Sequence, residues 1–245
     1  MGRRLFSILA LALVLASSRV DAGCIDAAPP NHATVSITRH FDAQEQEERP
    51  GVVGIRGTGW FLSPTSMVTV DHVAAAMSLS GEEWKPVEIA KGESRHSIPA
   101  RLHRLAGPHA QKIAVLELQT AHPDIQGFQL RMEPLVPEEP VVSFAYPGGH
   151  LRVVGGRFVQ YGDSGKFTGA ALLEMYDGYD RLVLDHGSSG APVLDCAGRV
   201  VAVVSNLFTT TIPFIAGTMR VSTAWGSPNV LSVPVPVLKD LARAQ

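Results

Sequence analysis

The segment Asp185–Pro192 reads DHGSSGAP and runs directly into the apolar pair Val193–Leu194. Glycine adopts backbone angles that other residues avoid, so Gly187 and Gly190 favour a tight turn around the serines. Such a turn presents a hydroxyl and brings backbone N–H groups close to a reacting carbonyl. The segment predicts Ser189 as a nucleophile, with the N–H groups of Gly187 and Ser189 as oxyanion donors. An ordinary glycine-serine turn is the alternative.

A histidine follows a strand-like run earlier in the chain. Gly57–Ser63 reads GTGWFLS, and Met67–Ala74 reads MVTVDHVA, which carries the run into His72. A serine hydroxyl needs an adjacent base to become nucleophilic, and histidine is the usual one. The chain has nine histidines, so His72 is singled out only by its context and by its order relative to Ser189.

Together these segments resemble the trypsin-like (chymotrypsin-fold) serine proteases, and most closely the bacterial secreted and periplasmic Deg-type members. Gly57–Leu62 is similar to the family's glycine-x-glycine-aromatic-apolar strand, and Thr69–Val73 to its catalytic histidine segment. Gly187–Pro192 is similar to the nucleophile turn, and Arg199–Ser205 to the hairpin beyond it. The resemblance implies His72 as general base and then general acid, and Ser189 as the residue that forms an acyl-enzyme.

The resemblance also implies an all-β fold of two antiparallel β-barrels packed side by side, with a short C-terminal helix. We expect the first barrel at residues 33–132 and the second, with its helix, at residues 140–245. The proline- and charge-rich segment Glu133–Pro140 is the candidate linker. The 23 glycines and 17 prolines agree with many short strands and turns. A solvated loop is predicted at Gln44–Arg49 and a strand at Arg181–Leu184.

Composition excludes several classes of protein. Apolar residues make up 45% of the 245 residues and the net charge is -2, which excludes a disordered chain. The balance of 21 basic and 23 acidic residues argues against a nucleic-acid partner. The histidines lack metal-ligand spacing, so no metal or other cofactor is expected. Too few residues follow Ser205 for a PDZ-like extension, so we expect a monomer.

One position departs from the family pattern. The family's acid heads a strand that begins Asp-(Ile/Leu)-Ala, whereas the corresponding segment here, KIAVLEL, begins with Lys112. A cation cannot stabilise the imidazolium that forms on His72. Asp71, Asp124 and Glu117 are the acids that could substitute, and none is favoured. If the strand continues through Asp71, its side chain and that of His72 point to opposite faces.

Two functions therefore stay open: a serine endopeptidase with a non-standard or missing acid, and a weak or inactive protease-fold protein that binds peptides. Either one has a peptide or protein as its partner. The resemblance places the primary substrate pocket at Val183, Ser205, Asn206 and Leu207, which favours small or apolar side chains. Ser188 stands where animal members have the aspartate that pairs with a freed N-terminus, so activation of that kind is not expected.

The first residues predict export. After two arginines, Leu5–Ala16 is an apolar run of twelve residues, shorter than the roughly 20 that a membrane span needs. Val20–Ala22 has the form of a cleavage site, so residues 1–22 read as a signal peptide and the protein as periplasmic or secreted. Cys24 and Cys196 are the chain's two cysteines and can form a disulfide after export. Two unpaired thiols, or a lipid anchor at Cys24, are the alternatives.

Overall fold

A computed structural model of the chain describes Cys24 and residues 33–107, 112–122, 125–164, 167–207, 209–214, 217–222 and 227–239. These residues form two closed antiparallel β-barrels of six strands each, together with a separate two-stranded sheet and few helices. The predicted fold class, two barrels of the chymotrypsin-like type, is confirmed. No helix in the described part of the chain is long and apolar enough to cross a membrane.

The first barrel is filled by large side chains. Trp60 and Phe61 are both fully buried, as expected for a small barrel whose interior leaves no channel. The barrel order is β1-β2-β3-β6-β5-β4. Its strands are β1 (Thr34–His40), β2 (Gly54–Ser63), β3 (Ser66–Val70), β4 (Lys85–Lys91), β5 (Ser94–Ala106) and β6 (Ile113–Leu118).

Two short helices interrupt these strands. Helix α1 (Ala43–Glu48) follows β1, and helix α2 (Asp71–Ala76) begins where β3 ends. The Asp42 carboxylate accepts the backbone N–H of Glu45, and the Glu45 carboxylate accepts that of Asp42, which is a capping box. The loop predicted at Gln44–Arg49 is therefore wrong over α1, because this reciprocal cap starts a helix.

The second barrel has the order β10-β11-β14-β9-β8-β7, and β12 and β13 form a separate two-stranded sheet. The strands of this barrel and sheet are β7 (Pro140–Ala145), β8 (Arg152–Ser164), β9 (Phe167–Tyr176), β10 (Pro192–Leu194), β11 (Val200–Leu207), β12 (Thr209–Phe214), β13 (Gly217–Ser222) and β14 (Val230–Pro234).

The strand predicted at Arg181–Leu184 is absent. The Asp177 carboxylate accepts the backbone N–H and the guanidinium of Arg181, and these hydrogen bonds hold a loop there.

Two 3₁₀ helices complete the described structure, at Pro147–Gly149 and at Val235–Leu238. The second lies at the start of the predicted C-terminal helix, Pro236–Ala244. Residues 240–244 of that prediction lie outside the described part of the chain.

Residues 125–139 belong to the connecting segment between β6 and β7, and this segment contacts both barrels. The Phe128 N–H donates to the Phe61 carbonyl of β2, and the Arg131 N–H donates to the Val200 carbonyl of β11, both at 2.9 Å. The Arg131 guanidinium then binds the carboxylate of Glu139, inside the predicted linker. The barrels also share one buried apolar cluster, to which β7 and β11 contribute beside the first barrel. The two barrels thus pack against each other as one unit.

Candidate active site

His72 is the second residue of α2 and its side chain is half-exposed. The Asp71 carboxylate accepts the backbone N–H of His72 at 2.7 Å. The same oxygen, Oδ1, lies 3.8 Å from Nδ1 of the His72 ring. The expectation that these two side chains point to opposite faces is wrong, because the backbone becomes helical at Asp71 instead of continuing as a strand.

Lys112 lies at the head of β6, facing the start of α2. Val70 pairs with Ile113 in the β3–β6 ladder, and one step further the Asp71 N–H donates to the Lys112 carbonyl at 3.0 Å. Glu117 lies near the far end of the same strand and binds Arg101 at 2.7 Å, so it is not part of this site. Asp124 lies outside the described residues.

Ser189 lies in a turn that is closed by its neighbour Ser188. The Ser188 N–H donates to the Asp185 carbonyl at 2.8 Å, and the Ser188 hydroxyl accepts the Asp185 N–H at 3.0 Å. Gly187 and Gly190 have φ angles of +98° and +94°, a region that strongly favours glycine. Ser188 is buried, so this serine closes the turn from inside the protein.

The Ser189 turn contacts the first barrel next to α2. The Thr58 N–H of β2 donates to the Ser189 carbonyl at 3.0 Å. Gly57 lies between the two elements, since a Cβ there would stand 2.6 Å from Cγ1 of Val73 and 3.6 Å from the Ser189 carbonyl oxygen. Gly57 of β2 is therefore in close contact with both α2 and the Ser189 turn. The Ser189 hydroxyl itself donates to the Ser205 carbonyl at 3.3 Å.

Thr58 also holds the predicted oxyanion loop. Its buried hydroxyl donates to the Gly187 carbonyl at 2.6 Å and accepts the Tyr146 N–H at 3.0 Å. The Gly148 N–H donates to the His186 carbonyl at 3.2 Å. Because C=O and N–H point in opposite directions in a trans peptide, this contact aims the Gly187 N–H away from Gly148. Sequence reasoning missed Thr58, because nothing local marks its hydroxyl as a contact between loops.

Of the predicted pocket residues, Val183 lies in the loop before the Ser189 turn, and the other three lie at the end of β11. Val183 and Leu207 are half-buried, Ser205 is buried and Asn206 is exposed. The β11–β14 register shifts between Val204 and Asn206, so Ser205 lies in a bulge, which re-aims backbone groups. Among the described residues, no group of three or more histidine, cysteine, aspartate or glutamate side chains could hold a metal ion.

Cys24 and Cys196 form a disulfide with a Cα–Cα distance of 4.7 Å. Cys196 follows β10 in the second barrel, and Cys24 precedes β1 of the first. Cys24 is buried. The bond therefore joins the approach to the first barrel with the body of the second.

Comparison with known proteins matches residues 57–203 to the trypsin-like peptidase domain. Among solved structures, the active form of the Rv3671c protease from M. tuberculosis is 19% identical with a TM-score of 0.56, over 90% of this chain and 83% of that chain. Deg5 is 14% identical with a TM-score of 0.58, over 89% and 91%. The HtrA-type protease AlgW with a decapeptide is 13% identical with a TM-score of 0.57, over 91% and 66%.

At these identities the solved structures support the fold, and comparison with curated protein sequences gave no match. The family match is more specific, because it spans more than half of the 245 residues. It begins at Gly57, contains α2 and the Ser189 turn, and ends within β11. Its limits therefore enclose the region where the two barrels meet, and the chain belongs to the trypsin-like peptidase domain family.

Proposed function

We propose that this protein is an exported serine endopeptidase, with Ser189 as nucleophile and His72 as general base and general acid. The observation that carries the proposal is the hydrogen bond from the Thr58 N–H to the Ser189 carbonyl. It holds the nucleophile turn against β2, the strand next to α2. Because Gly57 has no side chain, the turn and α2 can lie close together on either side of it. The contact therefore brings the turn that carries Ser189 to the strand next to α2, the helix that carries His72.

The proposed reaction has two halves. The Ser189 oxygen bonds to the scissile carbonyl carbon while its proton passes to His72, and the N–H groups of Gly187 and Ser189 stabilise the oxyanion. The C–N bond then breaks as His72 returns the proton to the leaving amine, and water hydrolyses the acyl-enzyme by the same route. The resting Ser189 hydroxyl faces Ser205, so it must turn toward the imidazole. That rotation frees the Ser205 carbonyl to accept a substrate N–H.

Two further features support the finer parts of the proposal. Val183 and the buried Leu184 are apolar, which favours small or apolar side chains in the pocket because a cationic side chain finds no partner on them. The Cys24–Cys196 disulfide supports export, since such bonds persist in oxidising compartments. The same bond consumes the thiol that a lipid anchor at Cys24 would use.

The test is covalent labelling of the purified mature protein with a fluorophosphonate probe. We expect the parent to be labelled, Ser189→Ala to lose all labelling and His72→Ala to lose nearly all. His103→Ala, at an exposed histidine on β5, is the matched control and should label like the parent. A parent that is not labelled anywhere between about pH 6 and 9 contradicts the proposal. Peptide binding by such a protein would favour the binding function instead.

A further inference from the structure

We infer that Asp71 is the positioning residue for His72, and that its carboxylate orients the imidazole in place of the acid that is missing at Lys112. The inference rests on the proposed function, because it concerns the base that activates Ser189. The acid that we infer is the residue before His72 in the sequence, at the start of α2. The family pattern instead has its acid at the start of β6, where this chain has Lys112.

Two hydrogen bonds fix Asp71. Its N–H donates to the Lys112 carbonyl at 3.0 Å, and its Oδ1 accepts the His72 N–H at 2.7 Å. With both backbone and carboxylate held, Oδ1 stands 3.8 Å from the His72 Nδ1. A hydrogen bond between these atoms requires an approach of only about 1 Å. A small rotation of the half-exposed imidazole supplies that movement, and the carboxylate itself can stay where it is.

The local backbone explains why neighbouring residues can cooperate here. On a strand, adjacent side chains differ in direction by about 180°, but in a helix they differ by only about 100°. Strand β3 ends at Val70 and α2 begins at Asp71. The change from strand to helix thus falls between Val70 and Asp71, so the aspartate and His72 are both within the helical turn and their side chains come within ion-pair distance.

The position of Lys112 fits a displaced acid. The heads of β6 and α2 face each other across the end of the β3–β6 ladder. Neighbouring strands lie about 5 Å apart. A carboxylate at the start of α2 is therefore displaced by roughly one strand spacing from a carboxylate at the start of β6. The negative charge then stays beside His72 while a lysine occupies the place that the family pattern gives to the acid.

A second Asp-His pair in the same molecule serves as an internal comparison. The Asp185 carboxylate accepts the His186 backbone N–H at 2.7 Å, the same contact that Asp71 makes with His72. Within the described residues, only the Asp71 pair also brings carboxylate and imidazole within ion-pair distance. The backbone contact alone therefore does not produce the side-chain contact. The control variant is Glu117→Gln, which removes the charge of a carboxylate that lies outside the site, on the strand that follows Lys112.

The experiment uses Asp71→Asn, which keeps an oxygen that can accept the His72 N–H but removes the charge. We expect the rate of fluorophosphonate labelling to fall about 10²-fold, less than the roughly 10⁴-fold that loss of a fully aligned triad carboxylate produces. Nitrogen-15 NMR at about pH 8, where histidines are mostly neutral, should show His72 losing its Nδ1–H tautomer. Glu117→Gln should leave both measurements unchanged, and Asp71→Asn combined with Lys112→Asp should recover labelling.

The outcomes separate the two proposals. If the parent is labelled but Asp71→Asn keeps both its labelling rate and its tautomer, the inference about Asp71 is wrong and the proposed function stands. If the parent is not labelled at all, the proposed function is wrong, and the tautomer still decides whether Asp71 orients His72. Should Asp71→Asn unfold, Asp71→Ser replaces it, because a hydroxyl can also accept the His72 N–H.

Discussion

The hydroxyl of Thr58, in the first barrel, donates to the carbonyl of Gly187, in the second, across 2.6 Å. The same hydroxyl accepts the Tyr146 N–H, and burial of Tyr146 raises the pKa of its phenol. One buried side chain therefore connects β2, the loop after β7 and the nucleophile turn. The geometry of the proposed oxyanion donors depends on a residue outside the second barrel.

Replacing Thr58 by valine tests that dependence. The change keeps the shape but leaves the Gly187 carbonyl and the Tyr146 N–H without this partner, so the free energy of unfolding should fall by about 1–3 kcal/mol. Fluorophosphonate labelling should slow as well, because the turn is no longer held. Ser232→Ala is the control, since the Ser232 hydroxyl is buried with no hydrogen-bond partner among the described residues. Equal stability losses for the two variants would contradict the prediction.

Gly190→Ala should disrupt the nucleophile turn. A Cβ at Gly190 would stand 2.1 Å from the Thr58 carbonyl oxygen and 2.3 Å from the Thr69 hydroxyl, besides the cost of its φ of +94°. We expect a loss of more than about 3 kcal/mol in the free energy of unfolding, and no labelling. Gly92→Ala carries a positive φ without any neighbour within 4 Å and should cost about 1 kcal/mol. Thermal and urea unfolding measure both, and a mild effect at Gly190 would show that the turn can shift.

Acid should weaken the fold through Asp195. Burial opposes ionisation of this carboxyl, but hydrogen bonds and charge from Arg199 outweigh it and hold its pKa below the usual value of an aspartate. A lowered folded-state pKa contributes stability that is complete above the ordinary value and lost as the pH falls through the folded one. The free energy of unfolding should therefore decrease from about pH 5 downward. Asp195→Asn should make this decrease shallower, and an unchanged slope would contradict the assignment.

The disulfide should contribute strongly to stability, because it closes a loop between residues separated by 172 positions. Cys24→Ser should lower the free energy of unfolding by about 2–4 kcal/mol. The double variant Cys24→Ser/Cys196→Ser should match the single one, and dithiothreitol should shift the parent but neither variant. Urea unfolding with and without reductant measures this. A parent that is insensitive to reductant would show that native packing alone holds the two segments together.

The two-barrel fold could be predicted because the segments that carry the family resemblance are local motifs of the sequence. Gly187 and Gly190 predicted a tight turn, and both have the positive φ angles of such a turn. The strand-like run Gly57–Ser63 predicted a strand, and it lies within β2. The helix α1 could also have been predicted, since Asp42 and Glu45 have the spacing of a capping box.

The features that escaped prediction depend on contacts between distant segments. Thr58 is 129 positions from the carbonyl it binds, and no local pattern identifies that partner. The approach of Asp71 to His72 depended on where β3 gives way to α2, and helix boundaries are the least certain part of a sequence-based prediction. Ser188 closes the turn because its side chain lies inside it. Nothing in the sequence of two adjacent serines indicates that contact.

The disulfide between Cys24 and Cys196 has a consequence for limited proteolysis of the protein itself. A single backbone cut anywhere between these residues leaves two fragments that remain covalently joined. Nicked molecules would therefore migrate as intact protein on a non-reducing gel and separate only after reduction. Damage in the connecting segment between the barrels need not release the half that carries Ser189.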